Sequence, residues 1–229
     1  MSENLLFAAL PAEEQERLLP LLERVPLTLG DVLYDQNECI RHVYFPTSGV
    51  VSLLSTTDEG MSIEAGTAGA EGMAGVPVFL GVDTSFNKTL VQVAGEALRM
   101  KAEAFREAAR PPTRLHEIML LYVHARMTQM SLSVACNRFH NVEKRLARWL
   151  LAMQDCARTD EFRLTHEIIS RMIGTRRPHV SKAANGLHQR GLIHNGHGRI
   201  NILDRPGLLK VTCACYLNAK ASFDHLFSA

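Results

Sequence analysis

Short apolar runs separated by glycines and polar turns follow a helical region at residues 13–22 of this 229-residue chain. The runs have the length and alternation of half-buried strands. They lie at residues 31–34, 42–45, 50–54, 62–65, 90–93 and 96–100. Short strands at this spacing predict a small β-barrel or jelly roll.

A different periodicity begins after Pro111-Pro112, where Thr113 is placed to cap a helix. Apolar residues then recur at spacings of three and four, which predicts one long helix over residues 113–139. Seven positions form a heptad seam suited to pairing with a second copy of the helix: Leu115, Ile118, Tyr122, Ala125, Gln129, Leu132 and Cys136. The alternative is an amphipathic helix packed on its own domain. We expect a homodimer, with a hinge at His140-Asn141 and Asn141 capping the next helix.

The segment 162–198 has the order of a winged helix-turn-helix. Thr165 can cap a first helix, Gly174 permits a left-handed turn, and Thr175 can cap a second helix with Pro178 in its first turn. The second helix has a buried stripe of Val180, Ala183, Ala184 and Leu187. After Gly191, a strand, turn residues 195–198 and the alternating run 199–203 predict a β-hairpin wing.

Basic and polar residues of this segment are left to face outward. Arginine can bond two acceptors on guanine, and lysine neutralises phosphate. We therefore predict DNA contacts at Thr165, Thr175, Arg176, Arg177, His179, Ser181, Lys182, Asn185, His197 and Arg199. A basic helix alone would also suit an ordinary solvated surface, but the full order of cap, turn, helix and wing favours DNA binding.

Charge divides the chain in the same way, although the whole carries only +1. Residues 1–136 hold 10 Lys and Arg against 17 Asp and Glu, which gives −7. Residues 137–229 hold 15 against 7, which gives +8. A basic half attracts a polyanion, and an acidic half does not compete for it.

Cysteine usage and the chain's beginning favour a cytoplasmic protein. The five cysteines are few, odd in number and scattered, as in a reducing compartment. No signal peptide and no membrane-spanning apolar run is evident. Cys213 and Cys215 could form a redox or metal pair with His194, His197 or His225, but without a defined histidine partner we predict no metal site and expect small buried residues on the last helix.

The order of parts resembles the Crp/Fnr superfamily of bacterial transcription regulators. The similarity is strongest over residues 141–203, with Ile173-Gly174, Arg177 and Lys182 on the family's helix-turn-helix pattern, and His42 to Pro46 resembles its β-roll. The resemblance implies an α+β chain with a sensor β-roll (1–112), a dimerisation helix (113–139) and a winged helix-turn-helix domain (140–229). It also implies a homodimer on a two-fold-symmetric duplex operator, with RNA polymerase as a further partner and no membrane association.

Two departures from the family pattern concern its ligands. By resemblance the effector pocket would involve Glu71, Gly72, Met73, Ala74, Lys88 and Thr89. Members that bind cyclic AMP follow their Gly-Glu pair with an arginine that neutralises the phosphate, and this chain has none there. Cyclic AMP is therefore not expected, and the effector is left open. Pro178 also replaces a base-reading residue, so we expect a changed operator.

Three hypotheses about function follow. The first is an effector-gated DNA-binding regulator. The second is a redox- or metal-responsive regulator using Cys213 and Cys215. The third is an enzyme, which we do not expect because no nucleophile–base pair, carboxylate pair or metal triad appears at useful spacing.

Overall fold

The computed structural model describes residues 4–227 and begins with a β-roll. In chain order its elements are α1 (Leu5–Ala8), α2 (Ala12–Leu18), β1 (Glu23–Leu27), β2 (Val32–Tyr34), β3 (His42–Pro46), β4 (Val50–Thr56), β5 (Ser62–Ala68), α3 (Val76–Phe79), β6 (Lys88–Val93), β7 (Gly95–Lys101) and α4 (Ala102–Ala108). A three-stranded sheet has the order β1-β7-β3, and a four-stranded sheet has the order β2-β6-β4-β5. All pairings are antiparallel, and all six predicted strands are confirmed.

Strand β1 is missing from the sequence prediction. It contains Pro26, which lacks a backbone donor and argues against a central strand. In the structure β1 lies at the edge of its sheet, and Pro26 pairs in register with Glu96 of β7. An edge position tolerates proline because one side of the strand needs no hydrogen bonds within the sheet.

Two long helices join the roll to the rest of the chain: α5 (Arg114–Phe139) and α6 (Val142–Ala157). Thr113 caps α5 by accepting a hydrogen bond from the amide of His116 at 3.2 Å. Asn141 caps α6 by accepting from the amide of Lys144 at 3.0 Å. Both predicted caps and the break at His140 are confirmed. No helix in residues 4–227 is long and apolar enough to cross a bilayer.

The predicted dimer seam of α5 must be corrected. Its side chains at Leu115, Ile118, Tyr122, Ala125 and Cys136 are at most 1% exposed within a single chain, and Gln129 and Leu132 are half-buried. They pack against the β-roll and the last helix of the same chain. The exposed apolar stripe is instead formed by Leu120, Met127, Met130 and Val134. Both faces of α5 carry apolar residues, so periodicity alone could not say which one faces inward.

The remaining elements form the winged helix domain and a terminal helix. They are β8 (Glu161–Arg163), α7 (His166–Met172), α8 (Arg177–Gln189), β9 (Ile193–Gly196), β10 (Arg199–Ile202), α9 (Arg205–Val211) and α10 (Ala214–Leu226). The sheet order is β8-β10-β9, all antiparallel, and β8 was not predicted. A core around Trp149, Leu150, Ile169 and Leu187 holds α6, α7 and α8 together, and Val50 of β4 joins it.

Helix α10 begins in the winged helix domain, where Tyr216 of its first turn is buried in the core around Trp149, and then leaves it. It packs along α5, and Leu226 is buried in the core of the β-roll. The ring of Phe223 lies 6.2 Å from that of Tyr122, edge to face. The predicted range of 140–229 for the DNA-binding domain therefore includes a helix that belongs, by its contacts, with α5 and the roll.

Candidate nucleic-acid interface

The turn between α7 and α8 has the predicted chemistry. Thr165 caps α7 by accepting from the amide of Ile168 at 3.2 Å. Ile169 and Met172 are buried on its inner face. Gly174 has a φ of +59°, the left-handed conformation that lets the chain reverse after α7. These positions follow from local sequence, and the structure confirms them.

The start of α8 differs from the prediction by one residue. Arg176, not Thr175, occupies the N-cap position, and no side chain caps the helix. Thr175 is still part of the turn, because its amide donates to the carbonyl of Ser170 at 2.9 Å. Pro178 is tolerated anywhere in a first turn, so it could not fix which residue begins the helix.

The outward face of α8 is open. The buried stripe of Val180, Ala183, Ala184 and Leu187 is confirmed. The opposite face exposes five of the predicted contact residues, namely Arg176, Arg177, His179, Lys182 and Asn185. In the described part of the chain, no carboxylate forms an ion pair with Arg176, Arg177 or Lys182. These cations remain available to an anionic partner.

A polar network ties the wing to α8. His166 Nδ1 lies 2.9 Å from Ser181 Oγ, and His166 Nε2 lies 3.0 Å from Asn195 Oδ1. The Asn195 amide donates to Asn185 Oδ1 at 3.3 Å. His166 and Asn195 were not among the predicted site residues, because their pairing joins residues far apart in the chain. The network holds Ser181 and Asn185 in place and leaves them fewer free hydrogen-bonding groups.

The wing is a tight hairpin of β9 and β10. His197 and Gly198 occupy its two-residue turn with φ of +51° and +71°, and Gly196 pairs with Arg199. His197 is exposed at the tip. Arg199 already forms an ion pair of 2.8 Å with Glu161, an exposed contact that is easily exchanged for a phosphate. Thr165 lines the groove between the wing and the start of α8.

The winged helix domain rests against the β-roll of the same chain. Trp149 Nε1 on α6 donates to Glu64 Oε1 on β5 at 2.8 Å, and Ser52 Oγ donates to Glu64 Oε2 at 2.8 Å. Burial raises the pKa of the enclosed Glu64 carboxyl, an effect that the two hydrogen bonds partly oppose. The side chain of Ile63 lies against Gly174, the turn glycine before α8.

A groove separates the tip of the β4–β5 hairpin from the start of α8. One wall is formed by residues 57 and 60–63, and Thr175, Arg176 and His179 lie on the other. Three predicted DNA-contact residues therefore face the tip of the β4–β5 hairpin.

Several of the six predicted effector residues are engaged by other groups of the same chain. The Met73 backbone is hydrogen-bonded to Tyr122 Oη through both its amide and its carbonyl, each at 3.0 Å. Gly72 has Tyr122 against it, and Ala74 pairs with the backbone of Tyr44. Lys88 forms an ion pair of 2.8 Å with Asp35 at the surface, whereas the neighbouring Thr89 is buried. The assignment of these residues to an effector pocket stays a prediction.

Helix α5 contacts the roll at β5. Arg126 is buried, and its guanidinium donates to the Thr67 carbonyl and, at 2.8 Å, to Gln129 Oε1. Of the predicted effector residues, Glu71 lines a cavity of about 180 Å³ together with Gln129, Cys156 and residues of α10. That volume is below the roughly 300–1,000 Å³ of ordinary small-molecule sites.

Cys213 and Cys215 have different neighbours from those considered in the sequence. Cys136 Sγ lies 3.6 Å from Cys213 Sγ, and Cys215 Sγ lies 3.8 Å from His140 Nδ1. His194, His197 and His225 are not part of this group. Burial raises the pKa of the Cys136 thiol to about 12 and also raises that of Cys215.

Comparison with known families agrees with the helix-turn-helix geometry. The family described as "Crp-like helix-turn-helix domain" matches residues 144–211, from α6 to the end of α9. The match ends before α10, the helix that leaves this domain. A comparison with curated protein sequences gives no match.

Solved structures with the same overall fold are numerous. FixK2 from Bradyrhizobium japonicum has a TM-score of 0.71 at 16% identity, over 84% of this chain and 98% of its own. A putative transcriptional regulator of the Crp/Fnr family from Eubacterium rectale has a TM-score of 0.68 at 18% identity, over 90% and 96%. A CRP-family regulator from Thermus thermophilus has a TM-score of 0.68 at 19% identity, over 82% and 95%. At these identities the similarity establishes the fold of a β-roll joined to a winged helix.

Proposed function

We propose that this chain is a sequence-specific DNA-binding regulator of transcription. Its residues 144–211 match the Crp-like helix-turn-helix domain family, and its fold is similar to that of Crp/Fnr regulators. The observation that carries the proposal is the exposed basic face of α8 beside a fixed wing. Arg176, Arg177 and Lys182 lie on one open surface without ion pairs among the described residues. A helix of this kind enters the major groove, where arginine reads guanine and lysine holds phosphate.

The active form in this proposal is a homodimer built on the outer stripe of α5. Leu120, Met127 and Val134 are 53%, 65% and 72% exposed and follow a strict spacing of seven, with Met130 between them. Such a stripe is costly in water and is suited to pairing with its own copy. Two copies would present two α8 helices to half-sites about 34 Å apart on a symmetric operator. RNA polymerase is the further partner expected of such a regulator.

Control by the β-roll is the finer part of the proposal. The Glu64–Trp149 contact and the Ile63–Gly174 contact connect the roll directly to α6 and to the turn before α8. A ligand or partner that binds the roll more tightly in one arrangement would shift the orientation of α8. The small cavity beside Glu71 and the absence of a phosphate-binding arginine both argue for an effector other than cyclic AMP.

The experiment separates base contacts from phosphate contacts. The wild-type operator is selected from random duplexes, and binding constants are then measured on that operator and on a scrambled duplex. Arg177→Ala should lose roughly 1–3 kcal/mol on the operator and much less on the scrambled duplex. Arg176→Ala should weaken both equally and reduce the salt dependence by about one phosphate contact.

The matched control is Arg110→Ala, which removes an exposed cation between α4 and α5. Arg110 forms an ion pair of 2.9 Å with Glu107 and belongs to neither α8 nor the wing. Its operator affinity should stay at the wild-type value. Undiminished operator binding by both Arg176→Ala and Arg177→Ala would refute the assignment of α8 as the reading helix.

A further inference from the structure

Four metal-binding side chains meet where α5 ends and α10 begins. Cys136 lies in the last turn of α5, and His140 follows four residues later, so both project from the same face. Cys213 occupies the N-cap of α10, and Cys215 lies in its first turn. Their ligand atoms all lie within 4.8 Å of one another, and this is the one such group among residues 4–227.

Two of the distances between these atoms fit a tetrahedral ion. Zinc lies about 2.3 Å from a thiolate and about 2.0 Å from an imidazole nitrogen, so neighbouring ligand atoms stand roughly 3.5–3.8 Å apart. The observed Cys136 Sγ–Cys213 Sγ distance is 3.6 Å, and the Cys215 Sγ–His140 Nδ1 distance is 3.8 Å. A disulfide would need about 2.05 Å between sulfurs. These atoms are therefore spaced for a shared ion and are not covalently bonded to each other.

The surroundings fit a closed site. Cys136, Cys213 and Cys215 are buried, and His140 is half-buried at the rim. Three thiolates around a divalent ion leave one net negative charge, and Arg148 of α6 is close enough to act electrostatically on both Cys136 and Cys215.

We propose that Cys136, His140, Cys213 and Cys215 bind one Zn²⁺ ion in a structural tetrahedral site. All four coordination positions are filled by protein, so the ion has no open position for catalysis. The ion would fasten the start of α10 to the hinge between α5 and α6. It would thereby hold α10 on α5 and fix the point from which the winged helix domain departs. The site needs no DNA and is independent of the proposed function.

The first test is metal content. Wild-type protein is purified with reductant in buffers without added metal, and its metals are determined by mass spectrometry. We expect close to one zinc ion per chain, because four ligands complete one site. Cys213→Ser/Cys215→Ser and His140→Ala should each lose most of it. Cys39→Ser, which removes an exposed cysteine outside the group, should retain the full content.

The second test uses the wild-type chain alone, so that misfolding of a variant cannot decide the result. Zinc is removed with a chelator under reducing conditions, and Co²⁺ is added. We expect the intense visible bands of tetrahedral cobalt together with a thiolate-to-cobalt charge-transfer band. The apparent Tm should fall on chelation and recover with Zn²⁺, because an ion bound only by the folded state stabilises it.

Two outcomes would overturn the proposal. One is wild-type protein that contains no stoichiometric metal as purified and shows no cobalt–thiolate band after addition. The other is a Cys213→Ser/Cys215→Ser protein that retains zinc at the wild-type level. A zinc-loaded wild-type protein that binds no duplex would count against the proposed function and would leave this site supported.

Discussion

The two faces of α5 carry similar apolar residues and have different partners. The inner face, with Ile118 and Tyr122, is fully buried against the β-roll and α10 of its own chain. The outer face, with Leu120, Met127 and Val134, is more than half exposed. The inner face therefore contributes to the stability of one chain, and the outer face is the part left for a second copy. Substitutions on the two faces should separate folding from assembly.

The largest expected effect comes from breaking the outer face. Val134→Asp places a charge on the most exposed residue of the stripe, where a paired helix would have to bury it. We expect a folded monomer in sedimentation experiments. Operator affinity should fall by roughly 100-fold or more, because a monomer reaches only one half-site.

The control for the outer face is Leu29→Asp, which changes an exposed apolar residue in the turn after β1. It should leave both the dimer and operator binding unchanged. A Val134→Asp protein that sediments as a stable dimer would show that a different surface joins the two copies.

A smaller effect is expected on the inner face, and it should appear in folding. Tyr122→Phe removes the hydroxyl that is hydrogen-bonded to both the amide and the carbonyl of Met73. The free energy of unfolding, measured with urea, should drop by roughly 1–3 kcal/mol because two buried backbone groups lose their partner. The dimer should persist. His124→Gln, at an exposed position of the same helix, should change stability by less than about 0.5 kcal/mol. Equal stability of the wild type and Tyr122→Phe would contradict the inner packing described for α5.

The smallest effect is expected at Glu64 of β5, whose carboxylate accepts a hydrogen bond from Trp149 of α6. Because burial raises the pKa of Glu64 in the folded state, the folded protein holds that proton more tightly than the unfolded chain. The contribution of Glu64 to the free energy of unfolding is therefore greatest at low pH, and it is lost as the pH rises through the raised pKa of the folded state. Glu64→Gln keeps an acceptor for Trp149 and should remove this part of the pH dependence. The measurement is the free energy of unfolding at a series of pH values.

Glu16→Gln is the matched control for that measurement, because it neutralises an exposed glutamate on α2. Its pH profile should follow the wild type. If Glu64→Gln also follows the wild-type profile, the Glu64 carboxyl is not enclosed by the packing of α6 on β5.

Local patterns predicted most of the secondary structure. Alternating apolar residues gave all six predicted strands, and Thr113, Asn141 and Thr165 cap their helices as expected. Each of these depends on residues a few positions apart. Predictions about which surfaces or side chains contact each other were less accurate. The α5 seam faces its own chain, and Cys213 and Cys215 have neighbours other than the three histidines considered.

The same limit explains what was missed at the candidate sites. The His166–Ser181–Asn195 network joins residues up to 29 positions apart, and Cys136 lies 77 positions from Cys213. No periodicity or spacing rule links such residues. The sequence analysis considered His194, His197 and His225 as neighbours of Cys213 and Cys215, and none of them is in the group. The packing of α10 on the end of α5 brings the four side chains together.

By itself, the sequence determined the α+β architecture, the order of its parts, the caps and turns of the helix-turn-helix, and the basic outward face of α8. These follow from hydrophobic periodicity, backbone propensities and charge, all of which act over short distances. The tertiary structure alone decided which face of α5 remains exposed, where α10 packs, and which cysteines and histidine meet between α5 and α10. Those outcomes depend on the packing of segments distant in sequence, and packing is settled by shape and burial once the elements are assembled.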